Sequence, residues 1–148
     1  MIAILQRVLS ASVTVNGRVV GQIGPGLLAL VAITKTDGAE QIAWMARKIV
    51  GLRIFRNGDK HFDIDVQQSG GSVLLASNFT VAAATRQGRR PSFDAAADPQ
   101  AGLVGFNALI EAVRATGVPV ATGEFGADMQ VQLVNDGPVT VIVDSDSP

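Results

Sequence analysis

The sequence predicts an α+β protein: a single domain with a mixed, mostly antiparallel, barrel-like sheet and two main helices packed on it. Three observations carry that prediction. Apolar residues fall in short runs and alternations over most of the chain, and take up a spacing of three and four in two places. Asn16-Gly17, Gly24-Pro25-Gly26, Asn57-Gly58 and Gly70-Gly71 punctuate the runs as turn signals. The 148 residues show no repeat, linker or low-complexity stretch, and that length buries a core without disulfide or metal support.

The elements follow in order. Residues 2–9 are apolar apart from Gln6 and Arg7 and read as a strand. Ser12 to Val15 alternate up to Asn16-Gly17, a hairpin signal, and residues 18–23 form the returning arm. Residues 27–33 are an unbroken apolar run, as in a strand buried on both faces. Asp37 followed by Glu40 resembles a capping box, with Asp in the capping position. Ile42, Met45, Ile49 and Leu52 then mark one face of a helix. Residues 53–55 are expected to re-enter the sheet before the Asn57-Gly58 turn. Residues 72–81 read as a strand and 84–97 as a long loop. A second helix starts at Asp98-Pro99, with Pro in a tolerated first-turn position. Leu103, Phe106, Ile110 and Val113 line its apolar face, and Gly117 is its expected C-cap. Residues 118–122, 129–134 and 139–143 read as strands. The domain is expected to span residues 1–144, with 145–148 a frayed tail.

Composition removes several chemistries. Without Cys there is no disulfide, thiolate nucleophile or Cys-ligated zinc. With one His and no Tyr, a His-rich metal site is impossible, and a Ser-His-Asp triad would have to use His61. That residue follows Asn57-Gly58-Asp59-Lys60, on an expected exposed turn with no motif around it, and is assigned no catalytic role. Trp44 is read as packing. Neither a P-loop nor a dinucleotide-binding glycine pattern is present. No metal or cofactor is expected. Arg7 and Pro25 keep the apolar runs well short of the ~20 residues that span a bilayer, and no signal-peptide pattern opens the chain. A cytoplasmic protein with no membrane partner is expected.

The net charge of −1 is unevenly spread: residues 1–60 hold eight Lys/Arg and three Asp/Glu, residues 61–148 four and ten. Bulk charge therefore does not favour nucleic acid, and any RNA contact needs a local patch. The candidates are Arg47, Lys48, Arg53 and Arg56, and the run Arg86, Arg89, Arg90.

Three patches carry candidate chemistry. Ser77-Asn78-Phe79-Thr80 ends an apolar strand, where hydroxyls and free backbone N–H groups can sit at the rim of a sheet; its ordinary reading is a strand end entering a loop. Asn135-Asp136-Gly137-Pro138-Val139-Thr140 reads generically as a tight turn between two strands. A cis Gly-Pro unit there would point two carbonyl groups the same way, with no side chain on Gly137 to block approach. The loop from Arg86 to Phe93 is either a solvated basic loop or a phosphate-contacting one, since Arg offers a planar fork to phosphate oxygens.

Together these patches resemble the D-aminoacyl-tRNA deacylases, also called D-tyrosyl-tRNA deacylases. The likeness runs nearly end to end, through Gln6-Arg7-Val8, Ala11 to Val15, Gly24 to Leu28, Arg53-Ile54-Phe55, Val66 to Val73, Arg90 to Phe93, Phe125 to Val131 and Leu133 to Thr140. The family signature Ser-Gln-Phe-Thr falls on Ser77, Asn78, Phe79 and Thr80, with Asn78 in place of Gln and one methylene shorter. The signature Asn-x-Gly-Pro-Val-Thr is intact at Asn135 to Thr140.

The resemblance implies hydrolysis of the ester joining a D-amino acid to the 3′-adenosine of tRNA, removal of mischarged glycine, and rejection of L-aminoacyl-tRNA, as chiral proofreading in translation. It implies a homodimer in which Gly137-Pro138 of one subunit enters the active site of the other. Ser77, Asn78, Phe79 and Thr80 are the implied catalytic group. Gly137, Pro138, Met129 and Arg7 are implied in substrate binding and chiral selection, and Arg86, Arg89 and Arg90 in contacting tRNA. The ester is already activated, so positioned water and N–H donors near Phe79 and Thr80 suffice without a strong nucleophile. Water, the ribose 2′-OH and Thr80 remain alternative attacking groups. Arg7 either braces the Gly-Pro motif across the interface or extends to solvent. Two rival classes stay open on the residues alone: a non-catalytic dimeric tRNA-binding module, and a β-rich oligomeric interaction protein without an RNA partner.

Overall fold

The computed structural model describes residues 1–146. In chain order the elements are β1 (Ile2–Val15), β2 (Arg18–Ile23), β3 (Gly26–Ala32), α1 (Ala39–Gly51), β4 (Phe55–Asn57), β5 (Lys60–Ile64), β6 (Ser72–Ser77), a 3₁₀ turn (Phe79–Ala82), α2 (Pro99–Arg114), β7 (Val120–Thr122) and β8 (Gln130–Asp144). The main sheet is ordered β2-β1-β3-β6-β7, with β8 also paired to β1. β3 with β6 and β6 with β7 are parallel; the other pairs are antiparallel. The sheet nearly closes on itself. A Cβ on Gly21 of β2 would run into the Thr122 carbonyl oxygen of β7, so only glycine lets these backbones approach. The mixed, mostly antiparallel barrel-like sheet with two helices is as expected.

Two apolar cores explain why the central strands lack alternation. Leu27, Ala29 and Val31 of β3 join Val73 and Leu75 of β6 against Met45 and Ile49 of α1 and Phe106, Leu109 and Val113 of α2. Leu28, Leu74 and Ala76 face the barrel interior with Val8, Val13 and Ile23. Strands buried on both sides read as continuous apolar runs, and each large side chain so buried contributes about 1.5–3 kcal/mol. The Asn16-Gly17 hairpin forms, with both residues at positive φ, 49° and 76°.

Several local expectations are corrected. α1 is capped at Gly38, whose N–H donates to Gln41 Oε1 at 3.0 Å, not at Asp37. The Asp37 carboxylate is already engaged by the Met1 ammonium group at 2.5 Å and the Thr34 N–H at 2.6 Å. Leu52 lies one residue past the helix end. α2 starts at Asp98-Pro99 as expected, and Asp98 caps it, accepting from the N–H groups of Gln100 and Ala101. Leu103, however, is 41% exposed. The seam is set by Gly102 and Gly105, where a Cβ would press to 3.3 Å from the Phe125 ring and 3.1 Å from Ile33, so the helix turns Leu103 aside and buries Leu109. The helix ends at Arg114 and is capped at Ala115, ahead of Gly117. β4 does not join the main sheet but pairs only with β5, and His61 lies exposed on β5, not on the turn.

β6 stops at Ser77. The Asn78 N–H still reaches the Val31 carbonyl at 2.8 Å, and the chain then coils, with Val81 donating back to the Asn78 carbonyl. β8 is one strand, not two strands about a turn. Gln6 pairs Thr140 and Val8 pairs Asn135, so residues 136–139 bulge out opposite the single residue Arg7. In the expected tail, the Ser145 N–H donates to the Met1 carbonyl at 2.9 Å, and its hydroxyl accepts from the Met1 ammonium at 2.6 Å. Residues 147 and 148 of that tail lie outside the described residues.

Candidate active site

The end of β6 and the 3₁₀ turn place Ser77, Asn78 and Phe79 on the wall of a cavity of about 590 Å³, with Phe93, Phe125 and Met129 among the other walls. β6 carries two core-facing registers up to Ala76, so the first side chains past the core emerge at this rim. Thr80 stands just outside, exposed, and its Oγ1 donates to Asn78 Oδ1 at 2.5 Å. The backbone N–H groups of Phe79 and Thr80 have no protein acceptor among the described residues. The Phe79 ring is 59% exposed and meets Phe93 edge to face, with centroids 5.1 Å apart. Met129 lies over Gly123, where an added Cβ would fall 2.6 Å from its sulfur. These contacts form a largely apolar chamber with polar donors on one lip.

Residues 84–97 flank the same opening. Reciprocal backbone bonds between Ala84 and Ser92, and a Lys35 N–H donated to the Ala95 carbonyl, pin the base of this loop. Its tip carries Arg86, Arg89 and Arg90, all exposed and without an ion pair among the described residues.

Gly137 and Pro138 lie elsewhere. They are exposed at the crest of the β8 bulge, and the peptide between them is cis. Arg7, 3% exposed, sits beneath. Its Nη1 donates to the Ile54 carbonyl at 2.6 Å, and its Nε to the Asp136 carbonyl at 3.1 Å, with the Asp136 carboxylate 2.9 Å away. The guanidinium therefore does not extend to solvent but braces the bulge of its own chain. Asn135 closes the bulge from the other side, its Oδ1 accepting the Val139 N–H at 2.8 Å and its Nδ2 donating to Thr140 Oγ1 at 3.2 Å. Gly137 has φ +137°, and an added Cβ would lie 2.7 Å from Val139 Cγ2 and 3.2 Å from Arg7 Nη2.

The sequence-predicted residues thus form two groups. Ser77, Asn78, Phe79 and Met129 share the cavity, with Thr80 at its lip. Arg7, Gly137 and Pro138 share the bulge, and none of the three lines the cavity. Along β3, Arg7 lies level with Leu27 and Ser77 with Val31, four residues further on. His61 does not line the cavity, and no metal-holding cluster of His, Cys, Asp or Glu occurs among the described residues. No helix among them is long and apolar enough to cross a membrane. Sequence reading missed Phe93 and Phe125 as cavity walls and the Ile54 carbonyl as an acceptor for Arg7. Phe125 carried a signal, since an aromatic beside Gly126 in an otherwise polar loop needs a surface to cover.

The site joins an apolar chamber in a nearly closed α+β barrel to a hydroxyl and free N–H donors at its lip, and comparison with known proteins gives its class, a hydrolase acting on aminoacyl-tRNA. The family follows from comparison. The family model described as D-Tyr-tRNA(Tyr) deacylase matches residues 4–144, and the chain belongs to that family. A curated relative from Methylococcus capsulatus, named D-aminoacyl-tRNA deacylase, is 52% identical over 143 residues, covering 97% of this chain and 94% of its own. One from Chloroflexus aurantiacus, of the same name, is 52% identical and covers 98% and 91%. The solved structure of a protein named c-Myc DNA Unwinding Element Binding Protein superposes with a TM-score of 0.93 at 36% identity, covering 100% of this chain and 99% of that one. That of a probable eukaryotic D-amino acid tRNA deacylase gives 0.79 at 16% identity, covering 96% and 97%, so the fold persists where most residues differ.

Proposed function

We propose that this protein hydrolyses D-aminoacyl-tRNA to free D-amino acid and tRNA, also clears glycyl-tRNA, and spares L-aminoacyl-tRNA. The observation that carries the reading is the separation of two halves: an open chamber with unpaired donors at its lip, and a bulge braced from below by Arg7 that leaves Gly137 and Pro138 exposed at its crest, away from the chamber. The 3′-terminal adenosine occupies the apolar chamber, which brings the ester carbonyl to Phe79 and Thr80. Water adds to that carbonyl, the N–H groups of Phe79 and Thr80 hold the oxyanion, and the 3′-oxygen leaves with a proton. The Thr80 hydroxyl is not the nucleophile in this scheme. Its side-chain partner is an amide, which is no base, so Thr80 orients water or the substrate.

A second copy of the chain completes the site. Leu9, Val134 and Ile142 are 54%, 52% and 71% exposed on the two strands that bear the bulge, an apolar face suited to a homodimer. Docked there, Gly137 and Pro138 of one subunit enter the chamber of the other. Their carbonyls accept from the substrate α-ammonium, and the crest leaves no room for an L side chain. Glycine has no side chain to exclude and is hydrolysed. Arg86, Arg89 and Arg90 take tRNA phosphates beside the opening. A tRNA substrate implies a cytoplasmic enzyme.

Matched D- and L-aminoacyl-tRNA, incubated with chelator-treated protein and compared with a no-enzyme control, test the reading. Loss of the D ester alone supports it. Loss of both esters overturns the chiral selection, and loss of neither, with tRNA still retained on a filter, indicates a binding module instead.

A further inference from the structure

We propose that Asn78 is a positioning residue that fixes the direction of the Thr80 hydroxyl, turning it into a dedicated acceptor. The inference rests on the deacylase reading above and deepens it. A hydroxyl has one proton and two lone pairs. Thr80 Oγ1 spends its proton on Asn78 Oδ1 at 2.5 Å, so only lone pairs remain for the chamber. Whatever meets Thr80 there must donate: the substrate α-ammonium or the attacking water.

Asn78 stands at the junction of strand and turn. Its N–H ends the sheet on the Val31 carbonyl and its carbonyl opens the 3₁₀ turn by accepting the Val81 N–H, while Thr80 lies within the turn, its own carbonyl taking the Ala83 N–H. Their side-chain bond adds to that backbone junction a contact that fixes the Thr80 side chain against it. Reach matters here. Asn at this position ends its amide two residues from Thr80, at bonding distance; a Gln, as in the signature this stretch resembles, would carry the amide one methylene beyond that point. Asn78 is half-buried while Thr80 is exposed, so bound substrate is what removes water from the pair. The effect belongs to the complex and not to the free fold.

The test is a double-mutant cycle. Turnover of D-aminoacyl-tRNA is measured for Asn78→Ala in the natural Thr80 background and in the Thr80→Ala background, with Asn78→Gln alongside. The same cycle is read on binding of a hydrolysis-resistant D-aminoacyl-3′-amide of adenosine, which reports even where turnover is slow. The expected result is a loss of about threefold to tenfold for Asn78→Ala beside Thr80, the size of one neutral hydrogen bond, and no further loss once Thr80→Ala has removed the hydroxyl. Asn78→Gln falls between Asn78→Ala and the natural residue. A general structural role would persist in both backgrounds, so equal losses overturn the proposal. Wild-type protein that leaves the D ester intact overturns the deacylase reading and this role together; wild-type turnover with additive losses overturns this role alone.

Discussion

Thr80 at the chamber lip is exposed and leans on one amide, whereas Arg7 beneath the Gly137-Pro138 bulge is buried and binds two separate segments of chain. Both regions are candidate parts of one site, yet they hold their shapes by opposite means. The lip uses short local bonds between neighbours at a strand end. The bulge uses a guanidinium drawn from the middle of β1, an amide before the crest and a threonine after it. The difference has a mechanical reason. A lip aims donors at a substrate that arrives and leaves. On the proposed function, a crest that excludes one enantiomer must not yield when pushed, since discrimination by clash is only as large as the stiffness behind it. Changes at the bulge should therefore cost stability and activity together, and changes at the lip activity alone.

The largest effect is expected from Arg7→Ala. It strips a donor from the buried Ile54 carbonyl, leaves Asp136 without its cation and opens a void, for a loss on the order of 3 kcal/mol in a urea unfolding measurement. Arg7→Lys recovers part of it, because one ammonium cannot reproduce the fork to both segments. A wild-type urea midpoint for Arg7→Ala would show that the bulge stands without its brace and would erase the contrast.

Gly137→Ala comes next. At φ +137° with a Cβ 2.7 Å from Val139, the substitution costs about 1–3 kcal/mol in backbone strain and displacement. Displacing the crest by about 1 Å should lower D-ester turnover on the order of 100-fold, read in the deacylation assay. Thr80→Ala is expected to leave the thermal midpoint unchanged and to lower turnover by about tenfold at most, with Thr80→Ser close to wild type. A Thr80→Ala protein that is both active and stable removes the hydroxyl from the site.

What could be read in advance differs between the same two regions. The lip was legible because it ends an unmistakable apolar strand, and the hairpin at Asn16-Gly17 because its residues tolerate positive φ. The bulge was legible as a motif but not as a shape. Asn135 to Thr140 has the composition of a tight turn, and nothing local says that Arg7, far off in sequence, stands opposite and that residues 136–139 form a bulge within one strand. The same limit explains α1, where Asp37 has the right type and spacing for a cap but is claimed by the Met1 ammonium group. Long-range partners decide such cases, and spacing along the chain does not encode them. The β4–β5 hairpin is a related case: β4 pairs with β5 and not with the main sheet, and the Arg53–Asp63 contact within it is invisible in the run Arg53-Ile54-Phe55.

That hairpin supplies the smallest test, because the Ile54 carbonyl that anchors Arg7 lies just before β4. Asp63 latches the hairpin. Its carboxyl accepts from Asn57 Nδ2 at 2.8 Å and pairs with Arg53 at 2.9 Å and Lys60 at 3.7 Å. The Asn57 hydrogen bond foremost, then the Lys60 and Arg53 charges, hold its pKa below the ordinary 3.8 against some desolvation. The sign follows from linkage. A folded-state pKa below the unfolded one gives a contribution that is complete above about pH 4 and fades as pH falls through the lowered value. Acidification below about pH 4 should thus loosen β4 and β5 before the main sheet, seen as early loss of their amide resonances, and Asp63→Asn should abolish that acid step. At neutral pH the same variant should change turnover by less than about twofold, since two exposed cations and an amide contribute little at a surface. A loss as large as that of Gly137→Ala would mean that the support of the crest extends through Ile54 to the tip of the hairpin, and that the stiff region is wider than the contacts of Arg7 define.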